Sequence, residues 1–399
     1  MSEAVVSVAR TAEEVERLRP VWNELAPGHI DSDIDYFLAV AGNGQQVVSP
    51  FVVHIRRASL PDILIVARLE NLPVRFRLAY WTFARTTVRA VVVAFDGVLG
   101  ARGPDDLAMA MAETLRLLSQ EKAGVILMRN VQSEGELHSV AKRMAGALRV
   151  SHAQRVDRAW SAVIPRTLDL FLAGRSARTR STLRRDDRLL REALGDGLRL
   201  RRFDRIEELG ELCRDMTLVS SRTYQGALGA GYNDSPMERA LVSLGLRKGI
   251  FRGWILYAGE RPIAYWAGMA HGQTFFPTTP GFDPAFTHLS VGRYTMFRMI
   301  EDLCAEGRYT QLDLGRGDAQ YKREYAVATG DLVDVWVAAP RPRPIMIVGM
   351  VSLSAAIDRA GRTLIDKLSW AQRLKKAWRR KLSSLPGGAK RLQPTSGDV

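Results

Sequence analysis

The stretch LDLGRGDAQYKREYA, residues 312–326, gathers the side chains of this chain best suited to chemistry. Alternation in YTQLDL puts Leu312 and Leu314 on one face of a strand and Gln311 and Asp313 on the other. Gly315 and Gly317 let the backbone turn sharply at the strand's end, where an α/β sheet tends to place its ligand. In the helix that follows, Asp318, Tyr321 and Lys322 are spaced i, i+3 and i+4 and so share a face. Asp313, Asp318, Tyr321 and Lys322 can each donate or accept a proton, and they are the candidates for chemistry. Capping and solvation explain the same residues without chemistry: Asp318 as an N-cap, Tyr321 and Lys322 as part of an amphipathic helix.

A chain of 399 residues is long enough for two or three domains, and its apolar content is that of a globular protein. Cys213 and Cys304 stand far apart, which fits a reducing compartment and excludes a disulfide framework or a cysteine zinc site. The six histidines have no metal-binding spacing, so no metal is expected. The first residues lack the basic region and apolar run of a signal peptide, and the protein reads as cytoplasmic. The net charge of +14 is uneven: from Arg341 onward there are 13 Lys/Arg against 3 Asp/Glu. A second basic block, RSARTRSTLRRDDRLLR (175–191), holds seven arginines and two aspartates. The charge sits in two patches.

The elements that position the candidates follow from periodicity. VVSVA reads as a strand, then TAEEVERLRPVWNELA as a helix capped by Thr11 with Glu14 completing a capping box. DIDYFLAVAG is a short helix; VVSPFVVHI, DILIVARL and RAVVVAFDG are strands. GPDDLAMAMAETLRLLSQEKAG is a helix opened by Pro104, GVILMRNV a buried strand and EGELHSVAKRMAG a helix. After the strand QRVDRAWSAVIP, the arginine block forms a helix, followed by strand GLRLRRF and helix IEELGELCRDMTLVSSRTY. SPMERALVSLGLRKG is a helix capped by Ser235. Strands FRGWILYAG, RPIAYWAGMAH and QTFFPTTPG are joined by hairpin turns at Gly259-Glu260 and Gly272. SVGRYTMFRMIEDLCAEG is a helix, and DLVDVWVAAP is the last strand.

An antiparallel meander, a helix with glycine near its start, a strand and a tyrosine-bearing helix resemble, in that order, the GNAT superfamily of acyltransferases. RSARTRSTLRRDDRLL, RPIAYWAG, PGFDPAFTHLSVGRYTMFRMIEDLCAEGR and LDLGRGDAQYKREYA resemble more narrowly its CelD-type (BcsL-like) branch, related to the FemAB transferases. WNELA (22–26) and VVVAFDGVLG (91–100) extend the likeness to roughly residues 5 to 340. The resemblance implies a mixed α/β fold of two tandem GNAT-like domains, each a largely antiparallel sheet flanked by helices. The expected boundaries are 1–150, 151–340 for the catalytic domain, and 341–399 for a basic helix and tail.

The resemblance also implies acyl-CoA as co-substrate and direct acyl transfer to a hydroxyl or amine. The pyrophosphate is expected at the helix start Ser290, Val291, Gly292 and Arg293, where free N–H groups and the dipole suit an anion. Ser290 as a plain N-cap is the alternative, and Leu289 and Tyr294 depart from the usual R/Q-x-x-G-x-G/A signature. Pro277 and Pro280 require an edge or a splay in their strand, and a backbone N–H there, near Thr278, can bind the thioester oxygen. Tyr321 is the implied general acid with Tyr325 in reserve. The base is drawn from Asp318, preferred, with Asp313, Asp283 and His288, although Asp283 also suits capping the turn GFDP. Arg178, Arg180, Arg184 and Arg185 are expected to grip coenzyme A phosphates, an anionic saccharide or a tRNA end, or to pair with Asp186 and Asp187 on a solvated helix.

The expected acceptor is a small molecule or saccharide, in polysaccharide or envelope assembly. A FemAB-like transferase using aminoacyl-tRNA and a non-catalytic GNAT-fold binding protein are the alternatives. The segment 345–382 starts with an apolar run too short to span a bilayer and ends in KKAWRRKL. It reads either as an interfacial membrane anchor or as a helix packed on the domain.

Overall fold

The computed structural model describes residues 4–78, 81–146, 148–151, 156–175, 177–223 and 231–367. The chain starts with β1 (Val5–Ala9), α1 (Ala12–Arg17), α2 (Arg19–Glu24) and α3 (Ile34–Asn43). Next come β2 (Val47–Arg56), β3 (Ile63–Leu78), β4 (Trp81–Leu99), α4 (Pro104–Gln120), β5 (Val125–Gln132) and α5 (Glu136–Ala145). Then follow β6 (Asp157–Val163), α6 (Leu168–Ala173), α7 (Ala177–Leu194), β7 (Leu198–Phe203), α8 (Leu209–Ser220) and α9 (Pro236–Arg247). The meander is β8 (Phe251–Ala258), β9 (Arg261–His271), β10 (Thr274–Pro277) and β11 (Gly281–Phe282). The last elements are α10 (Val291–Glu306), β12 (Gln311–Arg316), α11 (Gln320–Tyr325), β13 (Val327–Ala338) and α12 (Pro342–Lys367).

Local signals act where the sequence places them. Thr11 Oγ1 accepts the Glu14 N–H at 3.2 Å and Glu14 accepts the Thr11 N–H at 3.2 Å, which closes the capping box of α1. Ser235 Oγ accepts the Glu238 N–H at 3.3 Å and starts α9.

The chain forms two compact units, one of Met1–Arg158 with Gly330–Lys376, the other built around Ala159–Thr329. In the first, the strand order is β1-β2-β3-β4-β5-β13. Strands β1 to β4 run antiparallel, β5 joins β4 in parallel, and β13 closes antiparallel to β5 from Leu332 to Ala338. One face packs Phe51, Ile65, Val91, Ile126 and Val335 under α4 and α5. The other packs Val52, Leu64 and Val66 against Trp22 and Phe37 of α2 and α3. On the same strands further along, Leu72, Val88, Val125 and Leu127 meet Ile347 and Val348 of α12.

The second unit repeats this plan with the order β7-β8-β9-β10-β12-β6. Strands β7 to β10 are antiparallel, β12 joins β10 in parallel, and β6 pairs antiparallel with β12. Trp254, Trp266 and Phe275 form its core with Met296, Phe297 and Ile300 of α10 and Leu312 and Leu314 of β12. Two mixed, largely antiparallel sheets of the same strand plan, flanked by helices, are therefore present in tandem, as the sequence implies. The division differs from the sequence boundary at 340. DLVDVWVAAP, expected to close the second domain, is the last strand of the first unit's sheet, and α12 goes with it.

Candidate active site

The site grows from the parallel pair β10 and β12. Only Thr274↔Gln311 and Phe275↔Leu312 pair, although both strands continue beyond them. The strands part there, so the proline-bearing segment lies at a splay and not along a full ladder. Against β9 the same segment bulges: four steps from Pro277 to Gly281 oppose three from Gly268 to Tyr265. Within the bulge, Thr278 is bound through its N–H (2.7 Å) and its hydroxyl (3.1 Å) to the Ala267 carbonyl. The expected N–H donor is thus engaged. The next residue, Thr279, is exposed, and its N–H donates to no group among the described residues.

Helix α10 begins close by in the chain. Ser290 precedes it with φ +54°, a left-handed conformation that a residue with a Cβ rarely adopts. Its hydroxyl caps no helix N–H and instead accepts from Arg293 at 3.2 Å. The alternative of Ser290 as a side-chain cap is therefore not what the structure has. The N–H groups of Val291, Gly292 and Arg293 donate to nothing among the described residues, and the first turn carries no acidic residue. The start is a free donor array at the positive end of a helix of 16 residues. Gly292 lies where a Cβ would sit 3.1 Å from the Phe282 ring. In the first unit α4 holds the matching place in the strand order, and its first turn is acidic. Asp105 and Asp106 occupy that first turn, and Asp106 accepts the Arg102 N–H at 2.8 Å.

Trp266 of β9 ties the site together. Its indole N–H donates to the Gly292 carbonyl at 3.0 Å, and its ring meets Tyr321 edge-on with centroids 5.5 Å apart. Tyr321 of α11 is half-buried, and its hydroxyl makes no hydrogen bond among the described residues. Burial alone pushes its pKa up to about 12. One indole thus holds the phosphate-type donor array beside a protonated, unpartnered phenol. Residues 177–323 match the family model described as an acetyltransferase (GNAT) domain.

That stretch of the second unit is similar to a GNAT acetyltransferase domain. As a whole fold, the chain is similar to the crystal structure of FemX at 10% identity and a TM-score of 0.54, over 83% of this chain and 96% of that one. A tandem GNAT protein from the clavulanic acid biosynthesis pathway is similar at 12% identity and a TM-score of 0.49, over 85% of this chain and 100% of that one. L-PGS from Bacillus licheniformis is similar at 14% identity and a TM-score of 0.47, over 85% and 96%. No curated protein sequence matches the chain.

The other candidates of the second unit are held in structural roles. Asp313 accepts the Gly315 N–H at 2.7 Å and shapes the bulge between Asp313 and Gly315, where Gly315 has φ +68° and Gly317 +97°. Lys322 is buried, and its ammonium donates to the carbonyls of Arg316 at 2.8 Å and Gly315 at 3.4 Å. It clamps the glycine turn from inside. Helix α11 starts only at Gln320 with Ala319 as its cap, so Asp318 lies outside it and shares no face with Tyr321. Asp318 is neither cap nor buried base; it is exposed and paired with Arg323. Asp318→Asn is expected to leave kcat within about threefold and stability within about 0.5 kcal/mol, as for other exposed pairs. A larger loss of turnover in a steady-state assay would restore it as the base.

Asp283 is buried and paired with Arg261 (2.5 Å) and Arg222 (3.4 Å), and it caps the following turn through the Ala285 N–H at 3.0 Å. Burial favours its neutral form, but Arg261, the Ala285 N–H and Arg222 outweigh that and hold its carboxyl below the ordinary range. His288 is exposed. Tyr325 is buried edge-on to Phe297, centroids 5.0 Å apart, so the reserve acid is a core residue.

On α7 the two aspartates turn inward. Asp186 is buried and pairs with Arg293, and Asp187 pairs with Arg191 at 3.0 Å and Arg298 at 3.6 Å. The Arg293 guanidinium is therefore held by a carboxylate, while its backbone N–H is open to a phosphate. Arg180 donates to the Arg175 carbonyl, whereas Arg184 and Arg185 are exposed and form no ion pair among the described residues. The Arg178 side chain lies outside the described residues. Sequence reasoning missed Trp266, Thr279 and Trp160, whose buried indole N–H has no partner among the described residues and which pairs with Gly315 across the bulge. The tryptophan in RPIAYWAG was a visible signal; Thr279 had none.

Among the described residues no group of His, Cys, Asp and Glu could hold a metal ion, and no helix is long and apolar enough to cross a membrane. Both cysteines are free and buried.

Proposed function

We infer that the GNAT domain moves an acyl group from acyl-coenzyme A to a hydroxyl or amine of a small-molecule or saccharide acceptor, without a covalent enzyme intermediate. The observation that carries this reading is the free N–H array of Val291, Gly292 and Arg293, joined through Trp266 to Tyr321. Those N–H groups are the donors for the pyrophosphate. The splay between β10 and β12 is the place for the acyl-pantetheine, with the Thr279 N–H as donor to the thioester oxygen as charge develops there. The acceptor attacks the thioester carbon, the carbon–sulfur bond breaks, and the proton that the acceptor loses ends on the sulfur. Tyr321 hydrogen-bonds the departing thiolate and relays that proton. Asp313, Asp318 and Asp283 are each engaged elsewhere, which favours a water or the substrate itself as the path for the acceptor's proton.

Within the superfamily, LDLGRGDAQYK supports the CelD-type branch and with it a role in polysaccharide or envelope assembly. A second reading, an aminoacyl-tRNA donor, draws on the exposed Arg184 and Arg185, which suit phosphates of a nucleic acid. Isothermal titration of the full chain with acetyl-CoA and longer acyl-CoA thioesters, beside an aminoacyl-tRNA mimic, separates the two. Heat from a thioester and none from the mimic supports the first reading; the reverse supports the second.

A further inference from the structure

Of the three tryptophans in the second unit's core, two have partners for their indole N–H groups. Trp254 donates to Asp302 at 2.8 Å and Trp266 to the Gly292 carbonyl at 3.0 Å. The third, Trp160, is 8% exposed, and its buried N–H has no partner among the described residues. An indole N–H only donates, so no change of rotor or tautomer satisfies it from within. A donor buried without an acceptor lowers stability, and a fold that keeps one calls for an acceptor from outside.

Ala162 of β6 pairs with Leu312 of β12, and both belong to the core. Trp160, two residues along β6, therefore lies on the same face, in the cluster that holds Leu314 and Trp266 and that Tyr321 packs against. It pairs with Gly315 at the bulge of β12, beyond Phe275↔Leu312, where β10 and β12 have parted. Lys322, next to Tyr321 on α11, donates to the carbonyls of Gly315 and Arg316, so Trp160 and Tyr321 both adjoin this strand end. The acceptors of the glycine turn serve other donors: those two carbonyls take Lys322, and Asp313 takes the Gly315 N–H. Nothing lies within 4 Å of where a Gly315 Cβ would stand, so the strand end opposite Trp160 is open.

We propose that the Trp160 indole N–H binds the thioester oxygen of acyl-CoA from the β12 side of the splay, facing the Thr279 N–H on the β10 side. The inference rests on the acyl-transfer reading and adds to it the second donor of an oxyanion hole. As the acceptor's lone pair forms its bond to the thioester carbon, the C=O electron pair moves onto oxygen, where both N–H groups meet it. The pair returns to the C–O bond as the carbon–sulfur bond breaks and the sulfur leaves toward Tyr321. Neither N–H gives up its proton, so the balance of the transfer is unchanged. The same contact selects the ligand: a thioester brings an oxygen to this position, and free coenzyme A does not.

The test uses the full chain, with coenzyme A and acetyl-CoA as probes. Two variants remove the donor: Trp160→Phe, and benzothienylalanine in place of Trp160, which keeps the shape of the indole and puts sulfur where the N–H stands. Isothermal titration is expected to leave free coenzyme A within about twofold of wild type for both, and to weaken acetyl-CoA by about threefold to tenfold, the loss of one neutral hydrogen bond. Infrared spectra of bound acetyl-CoA, labelled with carbon-13 at the carbonyl, are expected to show its stretch at higher wavenumber in both variants than in wild type. Without ligand, the benzothienylalanine variant is expected to melt no lower than wild type, because the N–H it lacks has no partner to lose. An unchanged carbonyl stretch with acetyl-CoA still bound overturns the proposal. So does a lowered melt with acetyl-CoA affinity kept, which marks an N–H that serves the fold. Failure of the wild type to bind either probe overturns the acyl-CoA reading itself, and the proposal with it.

Discussion

Tyr321→Phe lowers kcat for acyl transfer by about a hundredfold to a thousandfold and leaves the KM for the acyl-CoA donor nearly unchanged. The phenol is the one polar group of α11 that meets Trp266 and has no protein partner among the described residues, so its oxygen is available to substrate. Because it supports no internal hydrogen bond among the described residues, its removal changes stability by less than about 0.5 kcal/mol, and the ring still meets Trp266 edge-on. The pH behaviour is a second readout. Burial pushes the phenol up to about 12, so the protonated form that donates is complete below that and is lost only as pH rises toward it. The ratio of wild-type to Tyr321→Phe rates should therefore stay constant through the neutral range. A ratio that collapsed toward unity at mildly alkaline pH would place the titrating donor on another residue.

Gly292→Asp weakens the acyl-CoA donor by about 30- to 150-fold in KM, with a much smaller change in kcat. The first turn of α10 has no acidic residue, and its three open N–H groups carry the helix's positive end. A carboxylate there neutralises the helix's positive end and repels phosphate, the position that Asp105 and Asp106 hold at α4. The loss of charge-assisted hydrogen bonds is about 2–3 kcal/mol, which is the stated range of affinity. Gly292→Ala separates charge from bulk. Its Cβ would lie 3.1 Å from the ring of Phe282, itself 42% exposed and free to shift by a few tenths of an ångström. Alanine is therefore expected to cost less than about tenfold. Steady-state kinetics that gave both variants the same KM would show that the anion does not sit at this turn.

The sequence carried the local features of this site well and the nonlocal ones poorly. Caps at Thr11 and Ser235, the hairpin glycines and the break forced by Pro277 depend on neighbours a few residues away, and each is where the pattern put it. Strand β13 was assigned to the wrong sheet, because Val333, Val335 and Val337 alternate equally well against either one. Its partner β5 lies some two hundred residues earlier, and no periodicity reports that. Asp318 looked like a member of the Tyr321 face because helical spacing was extended two residues past the real start of α11. Lys322 looked like a surface or catalytic lysine, yet its partners are two backbone carbonyls of the glycine turn, which a sequence does not display as ligands. Trp266 and Gly292 meet through an indole N–H and a carbonyl on separate elements. Only the folded chain brings them together.

The central claim is that one coenzyme A is held at the start of α10 with its reactive end toward Tyr321. The most direct measurement is a crystal structure of the full chain with coenzyme A bound. Pyrophosphate oxygens are expected within about 3 Å of the Val291, Gly292 and Arg293 N–H groups, with the pantetheine between β10 and β12 and the sulfur near the Tyr321 hydroxyl. Coenzyme A seated at another helix start, or no bound molecule at saturating concentration, would contradict it.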